Sequence, residues 1–76
     1  MFMRHSTDNQ WRQVVGRNVR ALRTRAKLTQ ERAAALCDVD VKHWQDIEYG
    51  KVNIALATLT RIADAFKVSP ARLFRR

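Results

Sequence analysis

Residues 28–50 constrain this chain more than any other stretch. Two short helical patterns lie there, one opening at Thr29 and the other at Asp40, separated by the turn Asp38-Val39. A Thr or Asp ahead of such a run accepts hydrogen bonds from the first free N–H groups of a helix. Two helices joined by only about three residues must cross steeply, which is the geometry of a helix-turn-helix. Whatever else the chain forms has to accommodate and hold that crossing.

The flanking sequence supplies the holding elements. Residues 1–8 carry no hydrophobic period and read as a flexible arm, with Ser6, Thr7 and Asp8 as caps for a first helix starting near Asn9. Trp11, Val15, Val19, Leu22 and Ala26 then recur at steps of three and four. At about 100° per residue they fall within roughly 80° of arc. Gly16 interrupts this helix, either as a close-packing site or as a tolerated defect costing roughly 1 kcal/mol. Ala33, Leu36 and Cys37 form the inward face of helix 2, with Cys37 a small buried filler. On helix 3, Trp44 and Ile47 point one way, while Val41, Lys42, Gln45 and Asp46 point the other. Gly50 follows where a left-handed residue stops a helix. Leu56, Leu59, Ile62, Ala63 and Phe66 mark helix 4. Ser69-Pro70 opens a short fifth helix through Leu73 and Phe74. The expectation is an all-α fold, a compact five-helix bundle of one domain over residues 9–76, with the helix-turn-helix at 29–49.

Size and charge narrow the function. A 76-residue chain has a thin core that a partner subunit would support. Fifteen Lys and Arg against seven Asp and Glu give a net charge of +8, which favours polyanionic partners. No apolar run reaches the ~20 residues of a membrane span, and the start lacks the core of a signal peptide. The single Cys suits a reducing compartment, so a cytoplasmic location is expected. His5, His43 and Cys37 lack the paired spacing of a zinc site. No nucleophile has an evident base and no Gly-rich phosphate loop is present, so an enzyme is not expected, nor a cofactor or small-molecule substrate.

Several segments together resemble the Xre family, the phage Cro and repressor type of helix-turn-helix domain, over roughly residues 15–74. They are Val19-Arg20-Ala21-Leu22-Arg23, Leu28-Thr29-Gln30-Glu31, Ile47-Glu48-Tyr49-Gly50-Lys51, Leu56-Ala57-Thr58-Leu59, Ile62-Ala63-Asp64-Ala65 and Val68-Ser69-Pro70 with Leu73-Phe74. The resemblance implies a DNA-backbone contact for Gln30, a recognition helix with Val41, Lys42, Gln45 and Asp46 toward the major groove, and an Arg23–Glu48 pair joining helices 1 and 3. The chain departs from the family pattern at Asp38, where Gly is usual; at Ala55, where Ser or Thr is usual; and at Trp44, a larger core residue than most members carry.

The candidate DNA-binding residues are Thr29, Gln30, Val41, Lys42, His43, Gln45, Asp46, Lys51 and Asn53. Lys42 either donates to a guanine edge or a phosphate, or pairs with Asp46 four residues on. Gln45 suits an adenine edge and Val41 a thymine methyl, or else Val41 is an exposed apolar residue. His43 either reaches a phosphate or is solvated. Arg12 and Arg17 read as a solvated face, whereas Arg23 and Glu48 are expected to form a salt bridge. Phe66, Leu73 and Phe74 are candidates for a homodimer interface, twofold symmetry matching a palindromic operator, with Leu73 and Phe74 either facing the second subunit or finishing the core. The expected function is a sequence-specific regulator binding double-stranded DNA, of restriction–modification controller, phage repressor or antitoxin kind. The rival is a protein-interaction module on the same fold, favoured only by the acidic Asp46 on the reading face.

Overall fold

The computed structural model describes residues 4–76. Four α-helices follow in order: α1 (Arg4–Arg25), α2 (Gln30–Leu36), α3 (Val41–Glu48) and α4 (Leu56–Ala65). A 3₁₀ turn, Pro70–Phe74, takes the place of the expected fifth α-helix. Ser69 caps that turn as anticipated, its hydroxyl accepting from Ala71 N. No strand occurs among the described residues. Part of the N-terminal arm expected over 1–8 lies outside them, and from Arg4 onward the chain is already helix. Ser, Thr and Asp cost only a few tenths of a kcal/mol each within a helix, so an established helix extends through them.

Each α-helix ends the same way. Lys27, Asp38, Gly50 and Lys67 adopt φ of 61°, 57°, 70° and 59°. After each, an amide reaches back five residues to the helix: Leu28 to Arg23 O, Val39 to Ala34 O, Lys51 to Asp46 O and Val68 to Ala63 O. These are Schellman closures, which satisfy carbonyls that a helix end would otherwise orphan. Only Gly50 advertises its closure by residue type. At Asp38 the short polar side chain tolerates the left-handed region better than most residues do.

The core gathers one face from every element: Val15, Val19 and Leu22; Ala33, Ala34 and Cys37; Trp44 and Ile47; Leu59, Ile62 and Ala63; and Leu73. Trp44, Ile62, Leu73 and Val19 are its largest fully buried members. Four expectations need correction. Ala26 sits in the turn after α1 and is exposed. Leu36 is 56% exposed, because Ala34 rather than Leu36 completes the inward face of the short α2. Leu56 is 75% exposed, since it is the first residue of α4 and precedes the stretch that turns toward the core. Leu73, a candidate for the dimer interface, is 0% exposed and finishes the core instead.

Gly16 proves to be a close-packing site. A methyl group there would be driven into the carbonyl oxygens of Ile47 and Glu48, so α1 and α3 approach backbone to backbone. Gly16→Ala is therefore expected to destabilise by about 1–3 kcal/mol despite the better helix propensity of Ala. Urea unfolding followed by far-UV circular dichroism would measure it, and an unchanged or raised midpoint would remove this account of the glycine.

Candidate nucleic-acid interface

The two-helix unit is set by its caps. Thr29 Oγ1 accepts from Arg32 N at 3.0 Å, and Asp40 Oδ2 accepts from Lys42 N at 3.0 Å and His43 N at 3.4 Å. With Asp38 left-handed between them, α2 and α3 are fixed at both of their facing ends. α4 opens at Ala55 with no side-chain cap hydrogen bond, since Ala carries no acceptor.

Beneath α3 lies a carboxylate that ties three helices together. Glu48 Oε2 accepts from Arg23 Nε at 2.6 Å and from Trp44 Nε1 at 2.6 Å. Its Oε1 accepts from Arg23 Nη2 at 3.2 Å and from Gln30 Nε2 at 3.1 Å. The Arg23 and Glu48 side chains are 14% and 1% exposed. Arg23 Nη1 also donates to Leu28 O at 2.9 Å, gripping the loop ahead of α2. Burial alone would push the Glu48 carboxyl up. The hydrogen bonds from Arg23, Gln30 and Trp44, together with the Arg23 charge, outweigh it and hold the group below the usual carboxylate value.

From this hub the polar network reaches the outer face. Gln45 Nε2 donates to Gln30 Oε1 at 3.2 Å, so the two amides meet across the α2–α3 crossing. Lys42 Nζ pairs with Asp46 Oδ1 at 2.9 Å, the lysine side chain 72% exposed and the aspartate 20%. Val41 is half-buried and packs against the core cluster rather than standing free. His43 is half-buried. Lys51 is exposed, its ammonium 5.6 Å from the Tyr49 ring centroid. Asn53 accepts from Arg12 Nη1 at 3.2 Å. Arg12 is thus half-buried and bonded, not part of a solvated face, because the α3–α4 loop carrying Asn53 passes beside this part of α1. The structure thus brings Gln30 to Gln45 and Lys42 to Asp46, while Lys51 and Asn53 lie on the loop that follows α3.

The Trp44 indole bond was not anticipated, although Trp44 and Glu48 stand four residues apart, where helical side chains meet. Of the candidate dimer residues, Phe66 packs against the core, Leu73 is inside it, and Phe74 stays 42% exposed. Phe74 meets Trp11 edge-on, with centroids 6.0 Å apart. Phe74 and Leu56 border a cleft of about 250 Å³ that Trp11, Val15, Ile54 and Leu59 also line.

Cys37 is buried 3% exposed, and burial pushes its thiol up, with Arg61 opposing the shift. A raised thiol is a poor nucleophile, consistent with a packing role.

Glu48 gives this architecture a pH signature. Its folded-state value lies below the unfolded one, so its contribution is complete above about pH 4.5, where the unfolded carboxyl is ionised. That contribution is lost as pH falls through the lower folded value. Glu48→Gln should cost roughly 3–5 kcal/mol at neutral pH, because Arg23 stays buried without a counter-charge. The variant should also lose less stability on acidification than the parent. Urea melts at pH 7 and pH 3 measure both effects; equal acid sensitivity in the two proteins would show that Glu48 is not the titrating group.

Comparison with known proteins agrees with this geometry. The model of a helix-turn-helix domain matches residues 14–74. The structure is similar to the restriction-modification controller protein C.AhdI from Aeromonas hydrophila, with 32% identity and a TM-score of 0.79 over 83% of this chain and 96% of that one. It is also similar to the hypothetical transcription factor NHTF from Neisseria, with 28% identity and a TM-score of 0.83 over 90% and 78% of the two chains. A third likeness is to an HTH_3 family transcriptional regulator from Vibrio cholerae, at 25% identity and a TM-score of 0.82, covering 88% of this chain and 38% of the other. No curated protein sequence gives a match. With the domain model matched over residues 14–74 and this likeness to solved regulators, the chain belongs to the helix-turn-helix domains of Xre type.

Proposed function

We propose that the protein is a sequence-specific DNA-binding transcription regulator that binds palindromic operators as a homodimer, with α3 in the major groove. The observation that carries this reading is the division of α3 into two faces. Trp44, Ile47 and Glu48 are buried, while Lys42 is left exposed and pairs with Asp46 on the other face. A helix anchored from beneath and polar outside suits base edges, whose donors and acceptors are read by such side chains. Thr29, Gln30, His43, Lys51 and Asn53 would contribute backbone contacts around it, and Val41 a thymine methyl. The +8 charge supplies the counterion-release term. Similarity to a restriction–modification controller supports a controller among regulators of this kind. Such a protein acts in the cytoplasm, where Cys37 stays reduced.

Lys42 and Asp46 neutralise each other in the unbound protein, but an exposed pair of this sort is worth only a few tenths of a kcal/mol. Lys42 is therefore cheaply released to a guanine or a phosphate. For the homodimer, the exposed apolar side chains Phe74 and Leu56 offer the contact, in place of the buried Leu73.

Two experiments test the reading. Titration with random duplex DNA at 50 and 200 mM salt should show affinity falling by orders of magnitude. Lys51→Ala should weaken all sequences alike and reduce the salt slope by about 1, whereas Lys42→Ala should cost about 1–3 kcal/mol and relax preference at one base. Absence of binding at low salt would leave the protein-interaction module as the function. Separately, Leu56→Asp should shift a dimer to monomer in sedimentation equilibrium while keeping the parent's helical circular dichroism, because an acid at the first position of α4 suits the helix dipole. A variant that still dimerises would place the subunit contact elsewhere.

A further inference from the structure

On the side of α1 away from α3, three arginines, Arg25 and Arg75 exposed and Arg72 half-buried, border one cavity. Arg25, Arg72 and Arg75 line a cavity of about 190 Å³ together with Asn18, Ala21 and Leu22. Arg25 ends α1, Arg72 lies in the 3₁₀ turn, and Arg75 follows it. Asn18 Nδ2 donates to Leu73 O and to Arg75 O, both at 2.8 Å, which pins the segment carrying Arg75 against α1. The two ion pairs among the described residues, Arg23–Glu48 and Lys42–Asp46, involve none of the three. No acidic residue lines the cavity.

We propose that this cavity is a binding site for a compact phosphate dianion, either free or as a monoester. Like charges held on one small concavity repel, and an anion between them removes that cost. Guanidinium groups present paired donors that match phosphate oxygens, and a dianion balances more of their charge than a single carboxylate does. The volume lies below the ~300 Å³ at which drug-sized pockets begin, so the ligand is small. The site is also separate from the reading face. Gly16 marks the line of α1 against α3. Asn18 and Arg25 lie roughly 180–200° around the helix from it at about 100° per residue. Operator DNA on α3 would not neutralise these arginines. A bound dianion would tie the C-terminal segment to α1 and stabilise the folded chain by mass action.

The test is a titration of the full chain with sodium phosphate, and separately with ribose 5-phosphate, against sodium chloride at constant ionic strength. Thermal midpoint and the Asn18 side-chain amide resonances are the readouts. A saturable rise of a few degrees is expected, with matching shifts at Asn18. Both should be absent from the Arg25→Gln/Arg75→Gln double variant and retained in Arg17→Gln/Arg20→Gln, which alters exposed arginines elsewhere on α1. Saturation by inorganic phosphate alone assigns the free ion; saturation by both ligands assigns an open site that also takes a monoester. A linear, unsaturated rise shared by parent and double variant is the general action of a strongly hydrated anion and would overturn the proposal. So would a double variant that loses duplex affinity when the parent shows no phosphate saturation, since the arginines would then serve the DNA backbone. Failure of all duplex binding, with phosphate saturation intact, would sink the regulator reading and leave this site standing.

Discussion

The carboxylate of Glu48 is the point on which the two-helix unit depends. A buried ion pair costs desolvation on both sides, and its attraction repays that only when the remaining lone pairs are also satisfied. Here both oxygens are fully used: Arg23 binds in a two-pronged way, and Trp44 and Gln30 take the remaining sites. Those donors come from α1, α3 and α2 respectively, so a single anion sets the mutual placement of three helices. A hydrophobic residue of similar size could fill the space, but it would not specify which donors must meet there.

The hub also determines what α3 can present outward. Glu48 draws in one end of the Gln30 amide, and the other end receives the Gln45 amide. A buried charge is thereby linked through two side chains to the edge of the candidate reading face, ordering groups that would otherwise lose rotamer freedom on meeting a ligand. Gly16 complements this from the other side. Without a Cβ, α1 comes close enough to the Ile47 and Glu48 carbonyls for Arg23, two turns further along, to reach the carboxylate. Close backbone approach and buried charge are thus parts of one arrangement.

Around that arrangement the chain closes its helices economically. Four left-handed residues stop four helices, and only one of them is glycine. Lys27 and Lys67 accept a strained backbone region at the surface, where their side chains are solvated and the Schellman bonds compensate the strain. Because the connections are this short, the amphipathic faces have little freedom in how they pack, and a thin core still buries Trp44 and Leu73 completely.

The sequence by itself determined the helical class, the capped pair at Thr29 and Asp40, the stop at Gly50 and the Arg23–Glu48 partnership suggested by family resemblance. These depend on local chemistry, caps, period and turn residues, which a chain carries wherever it goes. Tertiary structure decided the rest. It turned the fifth helix into a 3₁₀ turn, placed Leu73 in the core and left Leu36 and Leu56 outside, since period alone cannot say which residue of a short helix meets a neighbour. It also recruited Trp44 and Gln30 to Glu48 and Arg12 to Asn53. Residues 28–50 could be read as a tight helical crossing from their own pattern, but only the packing of α1 beneath them revealed the carboxylate that holds the crossing in place.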